Sequence, residues 1–343
     1  MHTMMHQYID RHTGKIVNER LFGDRLVNFL YSEVRESAPK VFRTLTSAWG
    51  SSLLGYLNFD SVLGTRLKSP REIMTRWGVN PDECLDPVEQ LDTPEKVFTR
   101  KIRYWDTRPM PSDPSVVISP ADSRVLVGSF RDNSLLFIKN KFFDFSELLG
   151  VHKSDWLKIF NHGDFAIFRL TPDKYHYNHT PVAGRVADMY ELDGEYHSCN
   201  PAAVVSLVTP YSKNRREVTV IDTDVPGGTQ VGLVAMIEVV ALMVGDIEQC
   251  YSSDGYNYPV PARTGLFVER GQPKSVFKPG SSTVVLLFQE GRMMFDQDLL
   301  DNQMALGVQS RFSAGFGKPL VETEVMVRSG IGAALGRLRM GHA

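Results

Sequence analysis

Phe277-Lys278-Pro279-Gly280-Ser281-Ser282-Thr283 runs directly into Val284-Val285-Leu286-Leu287-Phe288, which sets two small hydroxyl residues behind a glycine at the mouth of an apolar strand. A serine hydroxyl so placed can attack the carbonyl of the preceding residue and turn the peptide into an ester. The geometry is strained, and glycine tolerates it because it lacks a Cβ. A nearby base that then removes the serine α-proton eliminates the ester, and the dehydroalanine left behind hydrolyses to a pyruvoyl group at a new amino terminus. The alternative for the same residues is a turn into a core strand, with the serines capping backbone groups.

His176 and His179 lie three positions apart in Tyr175-His176-Tyr177-Asn178-His179-Thr180-Pro181-Val182. On a helix both could face one zinc ion, yet no third ligand occurs at diagnostic spacing, and Pro181 argues against a long helix here. No metal is expected, and hydrogen-bonded core histidines are the plain alternative. Asp122 follows Pro120-Ala121, where a carboxylate commonly serves a turn. Lys213, Arg215 and Arg216 suit a phosphate, or equally a solvated charged loop.

The elements that must position these groups change character along the chain. Leu21, Phe22, Val27, Phe29 and Leu30 lie near one face at helical spacing, and Trp49, Leu53, Leu54, Tyr56 and Leu57 form a second apolar cluster. Arg20, Arg25, Arg35, Lys40 and Arg43 accompany the first cluster; Arg66, Lys68 and Arg71 follow the second. Apolar side chains beside arginine and lysine suit an anionic membrane surface, and an amphipathic helix packed on its own core is the competing interpretation. Residues 1–105 are expected to be helical and membrane-associating, and the Pro-, Asp- and Ser-rich stretch 106–116 a linker.

Beyond it come short β-rich runs: Val116–Ile118, Val125–Val127, Leu135–Ile138, Phe165–Leu170, Val218–Ile221, Val231–Ala235, Val239–Val244 and Val284–Phe288. Phe145–Leu149 and Ser154–Phe160 read as short helices. The expected fold class is α+β, a helical amino-terminal region on a mainly antiparallel β core. That core spans 117–316, with 317–343 an extension of no assigned role.

With 343 residues the chain has ample material for a core, and a formal net charge of −2 excludes a polyanion binder acting by bulk charge. No nucleic-acid partner is expected. Three widely spaced cysteines suggest a reducing compartment and no thiol chemistry. The first residues carry no signal-peptide core. The longest apolar run, Val231 to Gly245, has about 15 residues broken by Glu238, short of the about 20 a spanning helix needs. It reads as two buried strands with a bend.

Six segments in order resemble the phosphatidylserine decarboxylase proenzymes, a pyruvoyl-dependent family, from residue 7 to about 316. They are Tyr8-Ile9-Asp10-Arg11, Phe98-Thr99-Arg100-Lys101, Ile118 to Val125, Tyr175 to Val182, Asn214-Arg215-Arg216 and the Gly280 stretch. Three departures stand out: Val97 replaces a phenylalanine, Ser123 a glycine, and Ser281 the glycine that usually precedes the reactive serine.

The resemblance implies that His179, paired with Asp122, drives self-cleavage, and that His176 serves decarboxylation. Family spacing to Phe288 makes Ser282 the pyruvoyl precursor with cleavage between Ser281 and Ser282; the alternative is Ser281, cut after Gly280. The covalent pyruvoyl group would act as the electron sink for carbon dioxide loss through a Schiff base, needing no bound cofactor. The implied reaction converts phosphatidylserine to phosphatidylethanolamine at the cytoplasmic face of a membrane. The protein would be peripheral, without a signal peptide or spanning helix, its two fragments associated and a homo-oligomer compatible. Substrate-binding residues are unassigned. The alternatives are a decarboxylase of a soluble amino acid or another serine lipid, and an unprocessed, noncatalytic lipid-binding relative.

Overall fold

The computed structural model describes residues 5–21, 24–47, 69–131, 141–207, 209–242, 246–280 and 282–335. Expectations for Phe22, for Leu135–Ile138, for the Trp49 to Leu57 cluster with Arg66 and Lys68, and for Ser281 lie outside these residues.

Within them the chain forms sixteen strands. The first eight are β1 (Gln7–Asp10), β2 (Ile16–Asn18), β3 (Val116–Ile118), β4 (Ser123–Ser129), β5 (Asp164–Leu170), β6 (Tyr177–His179), β7 (Gly184–Leu192) and β8 (Arg216–Asp222). There follow β9 (Leu233–Val240), β10 (Ile247–Gln249), β11 (Phe267–Val268), β12 (Pro273–Phe277), β13 (Ser282–Phe288), β14 (Met293–Phe295), β15 (Thr323–Val325) and β16 (Gly330–Ala334). Ten make one large sheet in the order β11-β7-β8-β9-β13-β5-β4-β15-β1-β2, antiparallel except where β1 runs parallel to β15. Two three-stranded sheets, β10-β12-β6 and β14-β16-β3, complete the β structure.

The centre of the large sheet is the most apolar part of the chain for a physical reason. A strand covered on both faces needs apolar residues at every position, not at alternate ones. β13, with sequence STVVLLF, and β5, with DFAIFRL, are buried throughout. Alternation then divides their side chains. Val284, Leu286 and Phe288 join Phe168, Leu170, Val240, Phe98 and Phe277 in one core layer. Val285 and Leu287 face the other layer, with Phe165, Ile167, Val239 and the helices Phe145–Leu149, Ser154–Phe160 and Arg311–Phe316.

The mixed α and β character follows expectation, and both helices expected after residue 144 form over the expected residues. Several boundaries do not. Residues 7–10 and 16–18, read as part of a helical region, are strands at one edge of the large sheet, where Tyr8 and Ile9 are buried by pairing with β2 and β15. Farther on the amino-terminal region is helical in short pieces, among them Asp24–Phe29, Pro39–Leu45 and Pro70–Trp77. The last is bounded as a helix should be, with Ser69 accepting from the Glu72 amide and Gly78 closing it at φ 73°. Val27, Leu30, Tyr31 and Phe42 pack on Ala203, whereas Phe29 is 55 % exposed.

Over its described residues, 231–242, the run from Val231 to Gly245 forms one strand where two with a bend were expected. β9 passes straight through Glu238, whose charge is matched inside the core by Lys274 at 2.5 Å. Residues beyond 317 are not an appendage either, because β15 pairs with β4 and β1, and β16 with β3 and β14. Among the described residues no helix is long and apolar enough to cross a membrane.

Candidate active site

Ser282 opens β13, paired with Leu170 on one side and Val240 on the other. It is 1 % exposed, and its hydroxyl makes no hydrogen bond among the described residues. Strand alternation puts its side chain in phase with Val284 and Leu286, in the core layer that holds Phe98 and Phe277. Thr283 faces the opposite layer, where its hydroxyl lies 3.0 Å from the Cys199 sulfur. Upstream, β12 ends at Phe277 in a small sheet, whereas β13 begins at Ser282 in the large one.

The histidines come from the strand that pairs with β12. Phe277 donates its amide to the His176 carbonyl at 3.1 Å, and Pro273 stands opposite His179. Alternate side chains along this strand part company. His176 stacks on Phe98 with ring centroids 3.5 Å apart, and Asn178 donates to Glu238 of the large sheet at 3.0 Å. Tyr175, Tyr177 and His179 turn the other way, towards Tyr104 and Tyr256. The structure therefore brings His176 and Ser282 to one layer and sets His179 on the far side of the small sheet.

Both imidazoles are fully buried, and burial pushes the pKa of each down to about 3. For His176 the Arg100 charge acts in the same direction, opposed by the Asp173 charge and the Lys174 backbone, although no well-formed hydrogen bond reaches either ring nitrogen among the described residues. For His179 the hydrogen bond to the Gly271 carbonyl opposes burial; its Nδ1 lies 2.8 Å from that oxygen and its Nε2 3.0 Å from the Tyr175 hydroxyl. Its backbone amide donates to the Pro120 carbonyl, which ties β6 to the Asp122 turn.

Asp122 is held by Arg108, whose Nε lies 3.0 Å from Oδ1 and whose second nitrogen lies 2.8 Å from Oδ2. The Val327 amide donates to Oδ1 as well. Burial alone would raise this carboxyl, but the adjoining guanidinium and these hydrogen bonds hold it below the usual carboxylate range. No hydrogen bond joins Asp122 to His179 in this structure; each has other partners. Arg108 sits in the stretch read as a linker, so that stretch contributes a buried ion pair.

The basic cluster behaves unevenly. Arg216 is buried and donates to the carbonyls of Leu148, Asn214 and Glu147, while Arg215 pairs with Glu191 and Asp246. Lys213 is exposed. A buried set that sequence reasoning missed is formed by Glu238, Lys274, Ser275, Gln249 and Asn178, in which both Glu238 oxygens are fully hydrogen-bonded. Its signal was the lone acid in an apolar run. Among the described residues one group has metal-ligand geometry, His6, Glu19 and Glu322, and its carboxylates already pair with Arg169 and Arg124.

Known proteins resemble this chain over most of its length. The family model for phosphatidylserine decarboxylase matches residues 95–315. The phosphatidylserine decarboxylase proenzyme of Chlamydia trachomatis serovar L2 is 32 % identical over 315 residues, 90 % of this chain and 95 % of the relative. Those of Chlamydia pneumoniae and Clostridium tetani are 32 % and 28 % identical, over 90 % and 91 % of this chain and 95 % and 97 % of theirs. Ser282, His176, His179 and Asp122 all lie inside the matched region, and the chain belongs to the phosphatidylserine decarboxylase family.

Proposed function

We propose that this protein cuts itself between Ser281 and Ser282, converts Ser282 to a pyruvoyl group, and decarboxylates phosphatidylserine to phosphatidylethanolamine at an anionic membrane surface. The observation that carries the proposal is the Ser282 hydroxyl, buried and unbonded at the head of a central strand, in the layer that also holds His176. A pyruvoyl group there would supply the carbonyl that accepts the electrons released with carbon dioxide. The residues fit it: Ser282 and His176 are buried, and burial keeps the His176 imidazole neutral and able to take a proton. His179 is the base for self-cleavage once its side chain turns from the Tyr104 side of the small sheet towards Ser282, and the Asp122 charge supports its protonated form.

Register favours Ser282 over Ser281. A one-residue slip along a strand turns the side chain to the opposite face, away from the layer of His176. Intact-mass analysis tests this directly, with expected products of residues 1–281 and a pyruvoyl-capped fragment of 343 − 281 = 62 residues. Ser282→Ala, His179→Ala and Asp122→Asn should each stay in one piece, and Ser281→Gly should cut at least as fast as the parent. A small fragment beginning at position 281 refutes the register. A chain that never cuts favours a noncatalytic lipid-binding relative. Carbon dioxide release from phosphatidylserine micelles, compared with free serine, decides between a lipid and a soluble substrate.

A further inference from the structure

His179 has two ring nitrogens, and both are engaged. The Gly271 carbonyl 2.8 Å from Nδ1 can only accept, so Nδ1 carries the proton and Nε2 the lone pair. That lone pair meets the Tyr175 hydroxyl at 3.0 Å. The Tyr175 oxygen lies 2.7 Å from that of Tyr256, and the Tyr256 hydroxyl lies 2.9 Å from the Ile102 carbonyl and accepts from the Ile102 amide at 3.2 Å. A continuous chain of hydrogen bonds thus runs from a buried imidazole through two phenols to the backbone.

Counting protons along this chain shows what it can do. With His179 neutral, Tyr175 donates to Nε2 and Tyr256 donates to Tyr175. With Nε2 protonated, the imidazolium donates to Tyr175, Tyr175 turns its proton to Tyr256, and Tyr256 donates to the Ile102 carbonyl. Every donor is satisfied in both states, and only hydroxyl hydrogens rotate. Asp122, the expected partner, is instead fastened to Arg108 and the Val327 amide. The remaining groups around His179 are the Tyr104 ring, edge-on at 4.7 Å, and the charges of Arg328, Asp122 and Arg108. Among the described residues Tyr175 is the one that hydrogen-bonds the basic nitrogen.

We propose that Tyr175, backed by Tyr256, is the positioning residue of His179: it fixes the tautomer and, by turning its hydroxyl from donor to acceptor, satisfies Nε2 in both the neutral and the protonated state. The proposal rests on His179 being the base for self-cleavage. Tyr177 does not share the role, since it reaches Tyr256 only by ring contact at 5.1 Å.

The test follows self-cleavage of freshly translated full-length chain across a pH series. Tyr175→Phe keeps the ring that stacks on Tyr177 and removes only the hydroxyl. The plateau rate should fall about 10-fold, the scale on which a lost positioning contact acts. The acid limb of the profile should also move to lower pH. The sign follows from bond strength: the hydroxyl accepts from an imidazolium more strongly than it donates to a neutral ring, so removing it disfavours the protonated form. Tyr256→Phe should give a smaller shift in the same direction, and it carries the test should Tyr175→Phe fail to fold.

A fall in rate with an unmoved acid limb means a packing role and overturns the proposal. Unchanged or faster cleavage overturns it too. His179→Ala run alongside separates the two levels: if it cuts normally, the base is misassigned, whatever Tyr175 does.

Discussion

Phe98 lies nearly face to face with His176, ring centroids 3.5 Å apart and planes 23° from parallel. Among the described residues no well-formed hydrogen bond reaches either ring nitrogen, so this stacking is a principal contact orienting the imidazole. His176→Ala should therefore still cut but release carbon dioxide poorly. Phe98→Leu should cut and lose about 10-fold in kcat, a modest share of what positioning contributes to catalysis. Gels and gas release read the two steps separately; a Phe98→Leu protein with the parent's kcat would show that stacking does not orient the ring.

Lys274 and Glu238 form a fully buried ion pair on the same sheet face as Ser282. Removing one partner strands the other charge in the core, so Lys274→Met should cost about 3–5 kcal/mol of stability. Lys274→Met combined with Glu238→Leu should recover part of that loss. Urea midpoints of the two proteins check the prediction, and additive losses would rule out coupling between the pair.

Glu217 gives the fold a pH dependence. Burial first, then the Glu238 charge, push its carboxyl up to about 7 from an ordinary value of 4.5. The folded state binds this proton more tightly than the unfolded chain, so the contribution is full below about 4.5 and lost as pH rises through about 7. The melting temperature should fall across that window and the fall should flatten in Glu217→Gln, as calorimetry at several pH values would show.

Membrane association should rest on side chains, not on the amino-terminal segment as a whole. Deleting residues 1–70 would remove β1, β2 and Glu19, which bridges Arg124 and Arg169 inside the sheet. The informative variant replaces the exposed Phe29 together with Leu53 and Leu54 by serine. It should sediment with anionic vesicles less than the parent, and salt should release the parent only in part, because charge attraction is screened and apolar insertion is not. Undiminished sedimentation would remove these residues from the contact.

How legible the fold was depended on where each strand's partners lie. β13, β5 and β8 were readable because strands buried on both faces announce themselves as apolar, β-branched runs. β12 was not: Lys274 and Ser275 interrupt its apolar character, and they are buried because Glu238, 36 positions before Lys274, receives them. The three residues of β6 and the short β1 and β15 owe their conformation to pairing across the whole chain. In the site, Ser282, His176, His179 and Asp122 were legible through resemblance to a family. Arg108, which holds Asp122, was hidden in a proline-rich stretch, and Tyr256, which backs Tyr175, lies 81 positions downstream of it.

The change of sheet between Phe277 and Ser282 governs what a cut there would leave behind. Severing the chain between Ser281 and Ser282 breaks no strand pairing, since β12 stays in its small sheet and β13 stays between β9 and β5. The shorter piece could not depart without opening the middle of the large sheet. Nor could it readily return, because re-forming that sheet from two separate chains is a bimolecular search that the uncut chain never faces. Folding would therefore belong to the precursor alone, and the mature enzyme would persist by slow unfolding, its lifetime set by a barrier and not by an equilibrium.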